Sequence, residues 1–259
     1  MPDAKQRWRV GFARDERARG DGLRDAQAAW VACLSAAGLP LATTGARDRP
    51  LLALAASIPA DADVEHDLAE VFLGERLTAA EARERIAAAL PAGYRLVALD
   101  DEWIGAPSLA SRLAAADWRA AVADAERRGR ATVEACVRRL LEAEKLPYLR
   151  GRDGADGRVT DLRATIVTLA VAGWDEDAGR GELAMRLRHD QVVGAGRPGD
   201  VIDALELGLR PLALLRRRLW IADEVDCGRR AGDRVSEPAP APSVDRPVGG
   251  RATSRPRRR

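Results

Sequence analysis

"GAGRPGDVIDALEL", residues 194–207, decides between two folds. Gly194, Gly196 and Gly199 have the spacing G-x-G-x-x-G and run into a helical pattern. A dinucleotide-binding loop has that spacing. It also needs a buried parallel strand before it, a full crossover helix after it and an acid beyond the next strand. Asp223 and Glu224 after "LRRRLWI" imitate the acid, but the strand before them is the last one the pattern predicts. The residues before the loop, "LAMRLRH" (183–189), alternate apolar and polar as a half-exposed antiparallel strand does. The helix after Gly199 is about two turns long, too short for a crossover unit of ~30 residues. Pro198 fits an early helical position, where its fixed φ is favourable and its missing N–H is not needed. The loop therefore reads as a turn that starts a helix.

Working outward, the second half of the chain predicts a strand over 118–124, a helix over 131–146 and a short edge strand over 147–151. A hairpin of 161–174 with 181–189 follows, then the short helix and a last strand over 211–221. The first half has the same order. A strand over 7–13 precedes a helix over 23–38, with Ala26, Trp30, Cys33, Leu34 and Ala37 on one stripe and Gly38 and Pro40 closing it. Strand candidates follow at 40–44, 50–57 and 64–73. A helix over 78–90 opens on Thr78 with Glu81 three residues on, a capping box, and a strand over 94–104 closes the half. Each half reads β-α-β-β-α-β, the split arrangement of ferredoxin-like domains. The fold class expected is α+β: tandem ferredoxin-like units over 1–110 and 111–227, then an Arg/Pro-rich tail over 228–259. That tail has too little apolar surface to offset its ordering entropy, so disorder is expected there.

From Gly228 onward nine arginines stand against three acids, a charge of +6; the whole chain carries +2, so the residues before the tail carry −4. The body is not a basic protein. No apolar run reaches membrane-spanning length and the N-terminus lacks a secretory pattern, so a cytoplasmic location is expected. Cys33, Cys136 and Cys227 are scattered, with only His66 and His189 to join them. An iron–sulfur or zinc site needs such ligands clustered, so no cofactor or metal is expected, and Cys33 and Cys136 read as core thiols.

The remaining charged stretches have structural readings. Asp100, Asp101 and Glu102 at a strand end read as a solvated edge. Asp61, Asp63, Glu65, His66 and Asp67 lack the turn of a calcium loop and read as a polar hairpin. Trp30, Trp118 and Trp220 lie on patterned core faces, whereas Trp8, Trp103 and Trp174 sit near strand ends. In "LLRRRLW" a regular strand puts Arg216 and Arg218 on one face, able to clamp a phosphate or carboxylate, and Leu215, Arg217 and Leu219 on the other.

Several stretches between about residues 7 and 221 carry a family resemblance. They are "LRDAQAAWVACLSAAGLPLA" with Asp25, "GARDRP" (45–50) with Arg47 and Arg49, and "APSL" before "AADWRA". "DLRATI" with Asp161 and Arg163, "GRPGDVIDAL" with Arg197, and "LRRRLW" with Arg216 and Arg218 follow in order. In that order they resemble the radical SAM-linked proteins of bacteria, a domain of unknown function found beside or fused to a radical S-adenosylmethionine enzyme. The chain departs from that family at Gly22, Leu23, Arg24 and Ala28, where a Ser-His-Leu triplet and a later arginine are usual, and at Ala46 and Arg47, where an aromatic and an asparagine are usual. The resemblance implies a partner rather than an activity, since three cluster-binding cysteines are missing. The function expected is a non-catalytic accessory protein of a radical S-adenosylmethionine enzyme, presenting a substrate, with RNA as the class. Asp25, Arg47, Arg49, Asp161, Arg163, Arg197, Arg216 and Arg218 are the candidate partner or phosphate contacts. Two alternatives stand beside it. An RNA-processing ribonuclease needs His66 or His189 next to an arginine-lined cleft; a protein–protein scaffold needs an exposed apolar sheet face.

Overall fold

Trp8, Val10 and Phe12 alternate with Arg7, Arg9 and Gly11, and that period of two makes Gln6–Arg14 strand β1 of the computed structural model. The structure describes residues 4–20, 22–44, 49–150, 158–190 and 194–224. Arg47, Cys227 and the tail expected to be disordered lie outside them. After a 3-10 turn come helix α1 (Leu23–Ala36), the small hairpin β2 (Thr43–Thr44) and β3 (Arg49–Pro50), β4 (Leu52–Leu54), β5 (Ala62–Leu73), α2 (Ala79–Ala89) and β6 (Tyr94–Glu102). The short α3 (Leu109–Arg112) leads into β7 (Leu113–Ala123), α4 (Arg130–Glu142), the hairpin β8 (Pro147–Arg150) and β9 (Arg158–Asp161), and α5 (Leu162–Thr165). Then follow β10 (Ile166–Asp175), β11 (Arg180–Asp190), β12 (Gly194–Ala195), α6 (Pro198–Asp203) and β13 (Arg210–Ile221).

The architecture is a mixed α/β fold dominated by one mostly antiparallel nine-stranded sheet, ordered β10-β11-β7-β13-β5-β1-β6. β4 pairs β5 at residues 69–71, and β13 runs parallel to β5 at residues 62–64, so both share one edge of β5. That short parallel ladder makes the sheet continuous. In-register positions share a face, so Val64 beside Arg216, and Arg216 beside Trp118, put both helical layers on the same side of the sheet. α1 and α2 bury Ala26, Trp30, Leu34, Ala82 and Ile86 against β1, β5 and β6. There Phe12, Trp30 and Tyr94 form a ring cluster with centroids 4.8–5.8 Å apart. α4 buries Val133, Val137 and Leu140 against β7, β11 and β13. Thr78 and Glu81 form the capping box, and Pro198 opens α6 as expected.

The opposite face of the first half is crossed by the segment before α3. Arg7, buried, donates to the carbonyls of Ala106 (2.6 Å) and Pro107 (2.9 Å) and pairs with Glu70, whose Oε1 accepts the Leu109 N–H at 2.5 Å. This seats the "APSL" stretch. Cys33 and Cys136 are half-buried flank residues rather than core thiols. Trp8, expected near a strand end, is 2% exposed because it sits on the helix face of β1.

Candidate functional site

A cleft of about 770 Å³ opens on the helix side, where the β5–β13 joint brings the halves together. One wall is the irregular segment 55–59 between β4 and β5. Two buried arginines fix its carbonyls: Arg216 donates to Ser57 O at 2.8 Å, and Arg14 to Pro59 O at 2.7 Å and Ala62 O at 2.5 Å. The facing wall is the loop 195–200 with Arg188 and His189. Trp118 and Leu214 contribute apolar surface between them.

Arg216 is the central polar group. It is 2% exposed, ion-paired with buried Asp67, and its guanidinium lies 5.3 Å from the Trp118 ring centroid. Its Nε has no partner among the described residues. Burial pushes the Asp67 carboxyl up, with Arg216 pulling the other way. Burial, then the Arg216 charge, holds the His189 imidazole below its ordinary range, so it is neutral at neutral pH. Arg188 and Arg197 are exposed, and no carboxylate among the described residues pairs with either. Their backbones run side by side, because His189 pairs with Ala195 and Gly196 N–H donates to Arg188 O at 2.9 Å.

The glycine loop divides by position. Gly194 has φ +94°, and a Cβ on Gly196 would lie 2.9 Å from Leu187 Cβ and 3.2 Å from Thr165 Oγ1. Gly199 has neither demand: no atom lies within 4 Å of where its Cβ would stand, and it lines the cleft.

The structure brings Arg197 and Arg216 together but separates Arg218. A β-bulge between Arg216 and Arg218 breaks the alternation, so Arg216 faces the helices with Trp118 while Arg218 faces the other way with Asp117. Trp220 follows Arg218 onto that second face, half-buried rather than in the core, with Arg218 and Arg186 over its ring at 4.1 and 4.8 Å. That face is a lattice of matched charges: Arg186–Asp117, Arg119–Glu182, Arg217–Glu65 and Arg218–Glu224. The acids read as a polar hairpin are the start of β5, where Asp63, Glu65 and Asp67 each hold an arginine. Asp161 caps α5 and also accepts the Leu146 N–H, and Arg163 donates to the carbonyls of Leu141 and Ile166, so both hold a turn. Asp25, exposed in the first turn of α1, and Arg49, exposed in the small hairpin, are not among the residues lining the cleft. Sequence reasoning missed Ser57 and took Asp67 only as part of a polar hairpin, although both hold Arg216. Arg188, in register with Ala115 and Trp220, lies on the ion-paired face.

No curated protein matches the chain. Among solved structures it is similar to a Cbf5-Nop10-Gar1 complex (TM-score 0.45, 9% identity, covering 81% of this chain and 48% of that one). It is also similar to the archaeal box H/ACA sRNP Nop10-Cbf5 complex (0.42, 9%, 80% and 46%) and to an H/ACA RNP bound to a substrate RNA containing 2'-deoxyuridine (0.43, 8%, 81% and 47%). The chain thus spans about half the length of the chains it matches. No helix among the described residues is long and apolar enough to cross a membrane. Residues 7–198 match the family model described as an uncharacterized protein conserved in bacteria (DUF2344), and the chain belongs to that family.

Proposed function

We propose that this protein is a non-catalytic accessory component that binds RNA in the cleft and presents it to a separate radical S-adenosylmethionine enzyme. One contrast carries the reading. On the opposite sheet face each arginine of the lattice is matched by a carboxylate, whereas Arg197, exposed at the cleft, pairs with no carboxylate among the described residues. A guanidinium left without a carboxylate suits an external anion. The radical enzyme as partner rests on the ordered stretches that resemble the radical SAM-linked proteins. The reading takes each half as a ferredoxin-like unit, supported by the antiparallel orders β4-β5-β1-β6 and β10-β11-β7-β13. Filter binding of the full chain to single-stranded RNA tests it. Binding at about 50 mM salt that weakens strongly by about 200 mM is expected, together with recovery of a radical enzyme from the native host. Recovery of neither RNA nor such an enzyme removes the proposal.

A second reading has one observation behind it. His189, neutral, lies in the cleft with Arg197 and Arg216, the arrangement an RNA-cleaving base requires. His66 cannot serve as its partner acid: it packs over Gly11, in line with Arg9 on the far side of the sheet. Cleavage of RNA by the purified chain, abolished by His189→Ala, establishes this alternative; intact RNA after prolonged incubation ends it. The scaffold reading is set aside, because the face it needs is covered with ion pairs.

A further inference from the structure

We infer that the cleft at the β5–β13 joint is a subsite for one unstacked nucleobase, covered by apolar side chains and read by the His189 imidazole and the unused amides of segment 56–58. The inference deepens the RNA-presenting reading and rests on it for the choice of a nucleobase over other planar, uncharged ligands.

The accessible surface of the cleft is largely apolar. Leu23, at the start of α1, is 39% exposed and lines it from the first half; Leu214, half-buried on β13, lines it from the second. Pro59 and the edge of Trp118 extend that surface. A flat ring that covers these side chains removes their apolar area from water.

The polar groups that accompany this surface are mostly neutral. Leu183, Met185 and Leu187 are buried on the helix side of β11, and His189 follows in the same alternation, so its ring turns to the cleft. It makes no hydrogen bond among the described residues, and its neutral imidazole offers one N–H donor and one nitrogen acceptor. On the other wall the chain leaves the ladder after Leu54. The Ala55 N–H still reaches Leu68 O at 2.8 Å, but the N–H groups of Ala56, Ser57 and Ile58 donate to nothing among the described residues. Arg216 and Arg14 hold the Ser57 and Pro59 carbonyls, so this wall is fixed although those amides are unused. Donors and acceptors without charge, set around apolar surface, match the edge and faces of a nucleobase splayed out of a single strand. Arg197, exposed at the cleft, is then left for a phosphate of the same strand. A volume of about 770 Å³ accommodates one nucleoside.

Calorimetry on the full chain tests this with adenosine, uridine, ribose 5-phosphate and a short single-stranded RNA. Adenosine or uridine is expected to bind at least about tenfold more tightly than ribose 5-phosphate. His189→Phe keeps a ring but removes both nitrogens, and is expected to weaken the nucleoside about tenfold. Leu23→Ser changes an exposed side chain, so the thermal midpoint is expected to hold while nucleoside affinity falls about fivefold. Arg119→Ala, on the other face, serves as the control and leaves affinity unchanged. Absence of nucleoside binding, ribose 5-phosphate binding as tightly as the nucleosides, or both cleft variants without effect overturns the subsite. RNA bound equally by the unaltered chain and both cleft variants sinks the subsite and leaves the RNA reading standing. Nucleoside binding that both variants weaken, with no RNA bound, does the reverse.

Discussion

Replacing Arg216 by leucine leaves the Asp67 carboxyl buried without its guanidinium and the Ser57 carbonyl without that donor. Removing one member of a buried pair costs about 3–5 kcal/mol, whereas replacing both by apolar groups costs far less. Arg216→Leu is therefore expected to lose about that much in urea unfolding, and the double variant with Asp67→Leu to recover most of it. Gly199→Ala, in open space, is expected to raise stability by about 0.5–1 kcal/mol, since glycine loses more freedom on entering a helix. The two histidines set a pH dependence. Burial holds both imidazoles below the ordinary value of 6.5, so between that value and their folded values the unfolded chain binds protons that the folded chain does not. Stability is then lost as pH falls through that window. Urea midpoints at pH 7.5 and 5.5 check the direction, and His189→Gln is expected to shrink the difference.

At the scale of elements, alternation and capping were legible before the structure. Thr78 with Glu81, the stripe of Ala26, Trp30 and Leu34, and the hairpin of β10 with β11 formed where local pattern placed them. The bulge in β13 was not legible, because "LLRRRLW" reads as a regular strand and nothing local marks Arg217 as the extra residue. It moved Arg218 and Trp220 to the face opposite Arg216. Deleting one residue from a regular strand turns all that follows to the wrong face. Deleting Arg217 removes only the extra residue, so the variant is expected to unfold cooperatively with Leu219 and Ile221 still buried; a non-cooperative melt would contradict the bulge. Gly196→Ala is a contrasting case in the loop. Its Cβ meets Leu187 and Thr165, both buried, and a loss of about 1–3 kcal/mol is expected by calorimetry.

At the scale of the whole molecule, the halves meet through the residue pairs Leu214–Ala62, Leu215–Asp63 and Arg216–Val64, plus the Arg216 contacts that cross the joint. One cooperative transition is expected, with backbone and tryptophan signals coinciding. Arg216→Leu, which weakens the joint, is expected to pull those signals apart. The amino-acid order alone determined the mixed helix and strand content, the antiparallel setting of the glycine loop and the dispersal of the cysteines. These follow from period, caps and turn residues, which act over a few positions. Tertiary structure alone decided that β13 lies along β5, that Asp67 meets Arg216 from 149 residues away, and that His189, Arg197 and Gly199 line one cleft. Those outcomes depend on which edges pair and which charges must be matched once buried, and no local pattern encodes them.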